Sequence, residues 1–586
     1  LNSHLFLPTT FEEARQRGWD ALDVVLVSGD SYIDSPYIGA AVIGRVLEDA
    51  GYRVGIIAQP DITSDADITR LGEPRLMWGV TGGSVDSMVA NYTASRKKRR
   101  SDDYTPGGIN NRRPNRAVIT YTNLIRRSFK GTKPIVLGGI EASLRRVAHY
   151  DYWDDSVRRS ILFDAKADYL LYGMAERSVL QLVDGLKNGA DVTDMRGLCY
   201  ISKQMPADHL ELPSFEVVSR DPHAFIDMFH TFYKNTEPLN ARGLAQRHGD
   251  RFLVQNKPAV YLSQTEMDAV YALPYQRSQH PFYEAQGKAH ALETIRFAIN
   301  TQHGCYGECN FCSIAVHEGR TVRWRSEASV VAEAELIAKL PDFKGYIFDV
   351  GGPTANMYGF ECPIKLKDGS CQDKRCIYPV VCTALKPTHA RQTALLKRLR
   401  KIQDVKKVFV SSGIRYDLVL ADERYGEAYL KEIVGEHVSG QLKVAPEHSE
   451  RKVLDAMGKP GHEQLLAFKD KFDRFSKEAH KEQYLTYYLI AAHPGCTQED
   501  MHQLKKFASR ELHISPEQVQ LFTPLPSTYS ALMYYTGLDP FTKKPIFVEK
   551  DAGKREQQKR IVTRKPAKKT GGRKKRLQKV TKGYRK

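Results

Sequence analysis

Three cysteines stand together near the middle of the chain, in Cys305-Tyr-Gly-Glu-Cys309-Asn-Phe-Cys312. Spacings of three residues and then two let one short loop fold three thiolates around one face of a cubane iron–sulfur cluster. Three ligands for four irons leave one iron open, and an open position is what ligation of a small molecule needs. Gly304 and Gly307 let the backbone pass close to such a cluster. The same residues also read as a zinc site completed by His303 or His317, or as three structural thiols. Zinc sites favour paired C-x2-C knuckles, and only Cys309 and Cys312 form one, which points to the cluster. Nine cysteines are an odd number for a disulfide framework and suit metal binding in a reducing cell better than bridging.

A second set follows at Cys362, Cys371, Cys376 and Cys382, with gaps of eight, four and five residues. Four thiolates can hold an auxiliary cluster or a structural zinc, or they can remain buried free thiols. The spacing matches neither a ferredoxin nor a zinc ribbon. Cys199 and Cys496 read as ordinary core or surface residues. Arg415 can grip a carboxylate or phosphate bidentately, although a structural ion pair is the plainer expectation. Glu447, His448 and His493 each follow a candidate strand, where they either contact a ligand or cap a loop.

The elements that must position these residues are alternating strands and helices. Asp23–Val27 is an apolar run, Pro36–Asp49 has helical spacing and stops at Gly51, and Arg53–Ile57 is the next strand. That is one βαβ unit and implies a parallel sheet. Further strands are expected at 76–80, 134–137 and 168–171, with a polar, basic loop over 96–116. Residues 1–245 are read as one Rossmann-like domain and 246–290 as a linker. From 291 to 548 six strands, at 297–301, 345–350, 407–412, 441–445, 484–490 and 518–523, alternate with helices at 327–338, 390–401 and 497–509. The fold class is therefore α/β, with a partial (β/α)6 barrel whose site lies at the strands' C-terminal ends.

Of the formal net charge of +18, the last 34 residues carry +15, with 16 Lys/Arg and a single acid, Glu556. The remaining 552 residues are nearly balanced. Residues 549–586 are thus expected to be an extended, disordered basic tail, either a solvated end or an arm for RNA or another polyanion. A mean hydropathy of −0.45 excludes a membrane-embedded chain. No basic start followed by an apolar stretch and a cleavage site opens the sequence, so a soluble cytoplasmic protein without a membrane partner is expected.

The loop resembles the Cys-x3-Cys-x-aromatic-Cys signature of radical S-adenosylmethionine (SAM) enzymes. Several longer strings resemble the YgiQ family within that superfamily: Asp349-Val-Gly-Gly-Pro-Thr-Ala-Asn-Met-Tyr358, Ser412-Gly-Ile-Arg-Tyr-Asp-Leu418, Val444-Ala-Pro-Glu-His448, Gln520-Leu-Phe-Thr-Pro524 and Met533-Tyr-Tyr-Thr-Gly-Leu-Asp-Pro540, with Asn91-Tyr-Thr93 in the first domain. The resemblance implies a [4Fe-4S] cluster on Cys305, Cys309 and Cys312, and SAM chelated to its open iron. It further implies reductive cleavage of SAM to a 5′-deoxyadenosyl radical, with electrons from a donor such as flavodoxin or ferredoxin. Phe311 takes the aromatic place near the adenine. Gly351 and Gly352 match the glycine pair of the superfamily's Gly-Gly-Glu, but Pro353 replaces the acid, so Asn356 or Asp349 is expected to serve the SAM amino group, and Glu447 to contact SAM or substrate. The first domain resembles the cobalamin-binding type. Its Ser28-Gly-Asp-Ser-Tyr-Ile-Asp34 lacks a ligating histidine, and cobalamin is not expected. The resemblance supplies a reaction class and no substrate. The rival reading is a zinc-stabilised nucleic-acid-binding protein that uses the basic tail.

Overall fold

Short runs of Val, Ile and Leu closed by Gly- or Asp-containing turns build the first sheet. The computed structural model describes residues 5–563. It has strands β1 (Val24–Ser28), β2 (Val54–Ala58), β3 (Met77–Thr81), β4 (Ile135–Gly138), β5 (Tyr169–Leu171), β6 (Leu198–Ser202), β7 (Leu210–Leu212), β8 (Leu244–His248) and β9 (Arg251–Gln255). They form one sheet in the order β7-β8-β9-β6-β5-β4-β3-β1-β2. The first five are parallel neighbours in the order 2-1-3-4-5, a doubly wound arrangement. Every residue of β1 and β2 is buried, as helices covering both faces require. Helix α1 (Gly39–Asp49) connects β1 to β2, and α2 (Glu176–Lys187) follows β5.

The sheet runs past residue 245. β8 and β9 pair antiparallel as a hairpin turning at Gly249, so the boundary expected there cuts a paired ladder, and the sheet ends at Gln255. His248 and Arg251 beside the turn hide the strand pattern. The segment expected to be a linker also returns to this domain, because Ser278–Gln279 pairs with Ile33–Asp34.

The second half has β10 (Ala298–Asn300), β11 (Tyr346–Ile347), β12 (Asp349–Gly351), β13 (Lys407–Val408), β14 (Gln441–Glu447), β15 (Tyr484–Ala491) and β16 (Gln520–Leu521). β11 and β12 are the one strand expected over 345–350, interrupted at Phe348. Parallel pairing runs β10–β12, β11–β13, β14–β15 and β15–β16, and an isolated parallel bridge, Ile414 to Val444, links the third strand position to the fourth. Six strand positions in series result, with helices α3 (Glu327–Ala338), α4 (Ala390–Leu399) and α5 (Gln498–Arg510) between them.

The two halves share a core. Tyr529, Ala531, Leu532, Met533 and Tyr534 of α6 (Tyr529–Thr536) belong to the apolar cluster that also contains Val27, Leu137 and Leu170 of the first sheet. Tyr535 stacks on Tyr150 at 4.9 Å between ring centroids. The stretch expected to open the disordered tail is instead helix α7 (Ala552–Thr563). Gln558 is fully buried there, accepting from the Ala492 amide (2.9 Å) and donating to the Cys496 carbonyl (3.1 Å). Arg555, Gln558 and Val562, at positions i, i+3 and i+7, form the buried face of α7. The rest of the basic tail, 564–586, lies outside the described residues. Among the described residues no helix is long and apolar enough to cross a membrane.

Candidate active site

The cysteine loop begins five residues after β10, on the side of its C-terminal end. Gly304 holds φ +79°, and a side chain there would meet the Thr321 carbonyl oxygen at 2.7 Å. Gly307 faces the sulfurs: a Cβ in its place would stand 3.2 Å from the Cys305 Sγ, 3.6 Å from the Cys309 Sγ and 3.5 Å from an Arg415 nitrogen. Glycine thus leaves open a cradle between two thiols and a guanidinium. Burial first, and then the neighbouring Cys309, pushes the thiols of Cys305 and Cys312 up. Buried thiols of this kind ionise when a metal takes the sulfur.

Glu308 and Arg415 fix the loop. Glu308 sits at φ +46°, a left-handed conformation worth about 1–3 kcal/mol of strain, so the surroundings must hold it. Its carboxylate accepts from Arg320 (2.8 Å) and Tyr233 (3.1 Å), and Lys365 lies 3.6 Å away. Burial alone would raise this carboxyl, but Arg320, Lys365 and Arg375 hold it below the usual range. An acid inside a cysteine loop is the sequence signal for this anchor, a residue not among the expected site residues. Arg415 donates to Asp417 (2.8 Å) and stands 3.7 Å from the Cys309 sulfur. The structural pairing expected for Arg415 is present, and it aims one nitrogen at the thiols.

Among the described residues no three His, Cys, Asp or Glu side chains are gathered tightly enough to hold one metal ion. The zinc reading therefore has no ion-sized site. Thiolates that each take a different iron of a cubane stand further apart than the ligands of one ion. Cys362, Cys376 and Cys382 of the second set pack with Tyr306 and Phe360 in one apolar cluster. Cys371 is not part of it. Cys305 borders the same cluster, so three thiols of the second set lie beside the first, with no single-ion site formed among the described residues. Cys199 and Cys496 are fully buried.

At the start of β12, Asp349 accepts from the amides of Ser411 (2.8 Å) and Ser412 (3.1 Å). Gly352 lies against Gln302, whose carbonyl oxygen would be 2.8 Å from a Cβ. Asn356 is fully buried: its Oδ1 accepts from the Arg415 amide (2.8 Å), and its Nδ2 donates to the Arg415 carbonyl (3.0 Å) and faces His389 Nε2 (3.1 Å). That bonding makes Asn356 a positioning residue for Arg415 rather than a contact of the cavity described below. Glu447, at the end of β14, is buried at φ +69°, with Lys459 at 3.9 Å. Burial raises its carboxyl, and Lys459 and Arg415 oppose the rise. His493 donates Nδ1–H to the Pro494 carbonyl (2.8 Å) and accepts from Ser530 (2.6 Å), and burial lowers it to about 3. Phe311 meets its ring edge-on at 6.3 Å. His448 is also buried and lowered to about 4.

A cavity of about 460 Å³ separates the two halves. It opens at the C-terminal ends of β1, β3, β4 and β5, where the strand order reverses, the position at which open α/β sheets bind ligands. Gly351, Gly352 and Pro353 border it from the second half, as do Ile314, His317 and Glu318, the residues that follow Cys312. On the first-domain side Ser28, Asp30, Thr81 and Ser84 offer no histidine. Asn300 Nδ2 donates to the Tyr271 hydroxyl (2.8 Å), which reaches His303 Nε2 (2.7 Å). Glu318 and Glu176, also on the wall, were not singled out from sequence: acids on unrelated elements show no shared spacing.

A family model described as Radical SAM N-terminal matches residues 6–298. A UPF0313 protein of Fusobacterium nucleatum is 56% identical over 96% of this chain and 99% of its own length. One from Thermotoga maritima is 47% identical over 95% of this chain and 98% of its own. Among solved structures, the radical SAM methyltransferase TsrM of Kitasatospora setae, with cobalamin and a [4Fe-4S] cluster bound, aligns with TM-score 0.48 at 16% identity, covering 86% of this chain and 77% of that one. The cobalamin-dependent enzyme OxsB aligns with TM-score 0.48 at 10% identity, covering 85% of this chain and 53% of that one. The chain belongs to the UPF0313 family, the YgiQ-like radical SAM enzymes.

Proposed function

We propose that the chain binds a [4Fe-4S] cluster through Cys305, Cys309 and Cys312, ligates SAM at the open iron and applies radical chemistry to a molecule in the inter-domain cavity. The observation that carries this reading is the cradle at Gly307, where Cys305, Cys309 and Arg415 converge with no side chain between them. What cluster and SAM supply when bound is one-electron cleavage of a sulfonium C–S bond, giving methionine and a 5′-deoxyadenosyl radical. The chain's own residues do the rest. Arg415 sets a positive charge beside Cys309, which offsets the charge of thiolate ligands. Asn356 fixes the Arg415 backbone, and Asp417 fixes its guanidinium. Gly351 and Gly352 present backbone at the cavity wall, and Phe311 and Glu447 supply an aromatic face and a carboxyl for SAM. The apolar walls keep bulk water away from the reacting groups. A one-electron donor of the flavodoxin or ferredoxin kind supplies the electron.

Anaerobic reconstitution with iron and sulfide, followed by SAM and reductant, tests the reading. The parent protein is expected to turn brown and release 5′-deoxyadenosine, and Cys309→Ala to do neither. Parent-like SAM cleavage by Cys309→Ala, or a colourless parent holding stoichiometric zinc, would refute it.

A further inference from the structure

The cavity between the halves has a one-sided charge. Asp30, Glu176, Glu318 and Asp349 border it, and among the described residues no Lys or Arg does. Two of these acids are already satisfied: Arg113 pairs with Asp30 at 2.8 Å, and Asp349 takes the Ser411 and Ser412 amides. The other two are not. Glu176, 4% exposed, has an Oε2 with no hydrogen-bond partner. Glu318 accepts the Gly304 amide (3.1 Å) on one oxygen and has no cation opposite it. Asn300 Oδ1, on the same wall, is a third acceptor without a donor. Buried acceptors left this way are costly, more so when charged, unless a ligand supplies donors.

Guanidiniums elsewhere nearby are committed. Arg277 and Arg325, which lie behind Tyr271 and Tyr37, both bond to Glu333. A smaller cavity of about 60 Å³ shares His303, His317 and Glu318 with the larger one. Of the arginines that border it, Arg177 and Arg323 pair with Glu266 and Glu361, while Arg146 has no acid partner and bonds the Gln255 side chain and packs on the Tyr172 and Phe232 rings. The remaining wall of the larger cavity is apolar, including Leu26, Ile43, Val80, Leu137, Leu171 and Val179. Its volume is that of a small-molecule site.

We propose that this cavity selects an organic cation, an apolar body ending in an amine, amidine or guanidine whose N–H groups bond Glu318 and Glu176, and rejects phosphorylated or carboxylated molecules. The idea deepens the radical reading by naming its substrate class, and rests on that reading only for calling the ligand a substrate. It runs against an RNA substrate entering this cavity, because phosphate would meet acids with no cation to offset them. The carboxyl of Glu318, lifted to about 7 by burial and by Glu176, fits the same picture, since a bound cation would draw off its proton.

Equilibrium binding to the reconstituted protein, with and without SAM, tests the proposal with three matched probes: 2-phenylethylamine, 2-phenylethanol and 3-phenylpropanoate. At neutral pH the amine is expected to bind at least about tenfold tighter than the carboxylate. Glu318→Gln should remove most of that preference and leave the alcohol unchanged, and Glu176→Gln serves as the second variant, each checked by its melting curve. Binding of the carboxylate as tightly as the amine, binding of none of the three, or an amine preference that survives both substitutions would overturn the proposal. Because the readout is binding, a protein that fails to cleave SAM can still pass, and one that cleaves SAM can still fail.

Discussion

Glu318→Gln isolates the electrostatic cost of the cavity. The carboxyl rises from its ordinary value of 4.5 to about 7, first through burial and then through Glu176, against the Gly304 amide that favours the charged form. A rise of that size corresponds to about 3 kcal/mol between the two protonation states. The folded chain holds this proton more tightly than the unfolded chain. The associated stability is therefore complete below about pH 4.5 and lost as pH climbs through about 7. Glutamine does not titrate, and its carbonyl oxygen can still accept the Gly304 N–H. Any fixed cost of the new amide is the same at every pH, so it cancels when two pH values are compared. The variant's stability relative to the parent should thus rise by up to about 3 kcal/mol between about pH 5 and about pH 8. Denaturant unfolding of both proteins at the two pH values measures the difference of differences. A gap that does not change with pH would mean Glu318 ionises normally in the folded chain, and the account of an uncompensated acid would be wrong.

Two further outcomes follow from the packing. Gly307→Ala places a methyl 3.2 Å from Cys305 Sγ and 3.6 Å from Cys309 Sγ, so the fold should survive while iron and sulfide content after anaerobic reconstitution falls; full cluster loading would show that the cradle is not where the cluster sits. Gln558→Ala removes the acceptor of the Ala492 amide and the donor to the Cys496 carbonyl, and should cost about 1–3 kcal/mol and expose α7 to limited proteolysis. An unchanged cleavage pattern and unfolding midpoint would instead place α7 among weakly held termini.

Much of the scaffold is legible in the sequence because local patterns dictate it. The runs at 23–27 and 53–57 are continuous apolar segments, and β1 and β2 form within a residue of them, wholly buried. Glu327–Ala338 forms as read, with Ser326 capping the Ser329 amide. The hairpin 244–255 was missed because polar residues flank Gly249, where propensity and pattern disagree with pairing. α7 was missed for a related reason: net charge describes repulsion in an extended chain but says nothing of the two hydrogen bonds that dock Gln558.

Spacing along one loop was enough to bring Cys305, Cys309 and Cys312 together, since three residues and then two keep all three thiols within reach of one another whatever the rest of the chain does. It was also enough, with the strings around Gly351, Arg415 and Glu447, to identify the family. The tertiary structure decided the partners of each polar group: that Asn356 is spent on Arg415, that Arg415 faces both Asp417 and Cys309, and that Glu176 and Glu318, 142 positions apart in the sequence, share one cavity wall without a cation. Composition gives a nearly neutral body and local periodicity gives strands. The sign of a pocket depends on which charges the fold leaves unpaired, and pairing across distant segments is fixed only when the sheets and helices close around it.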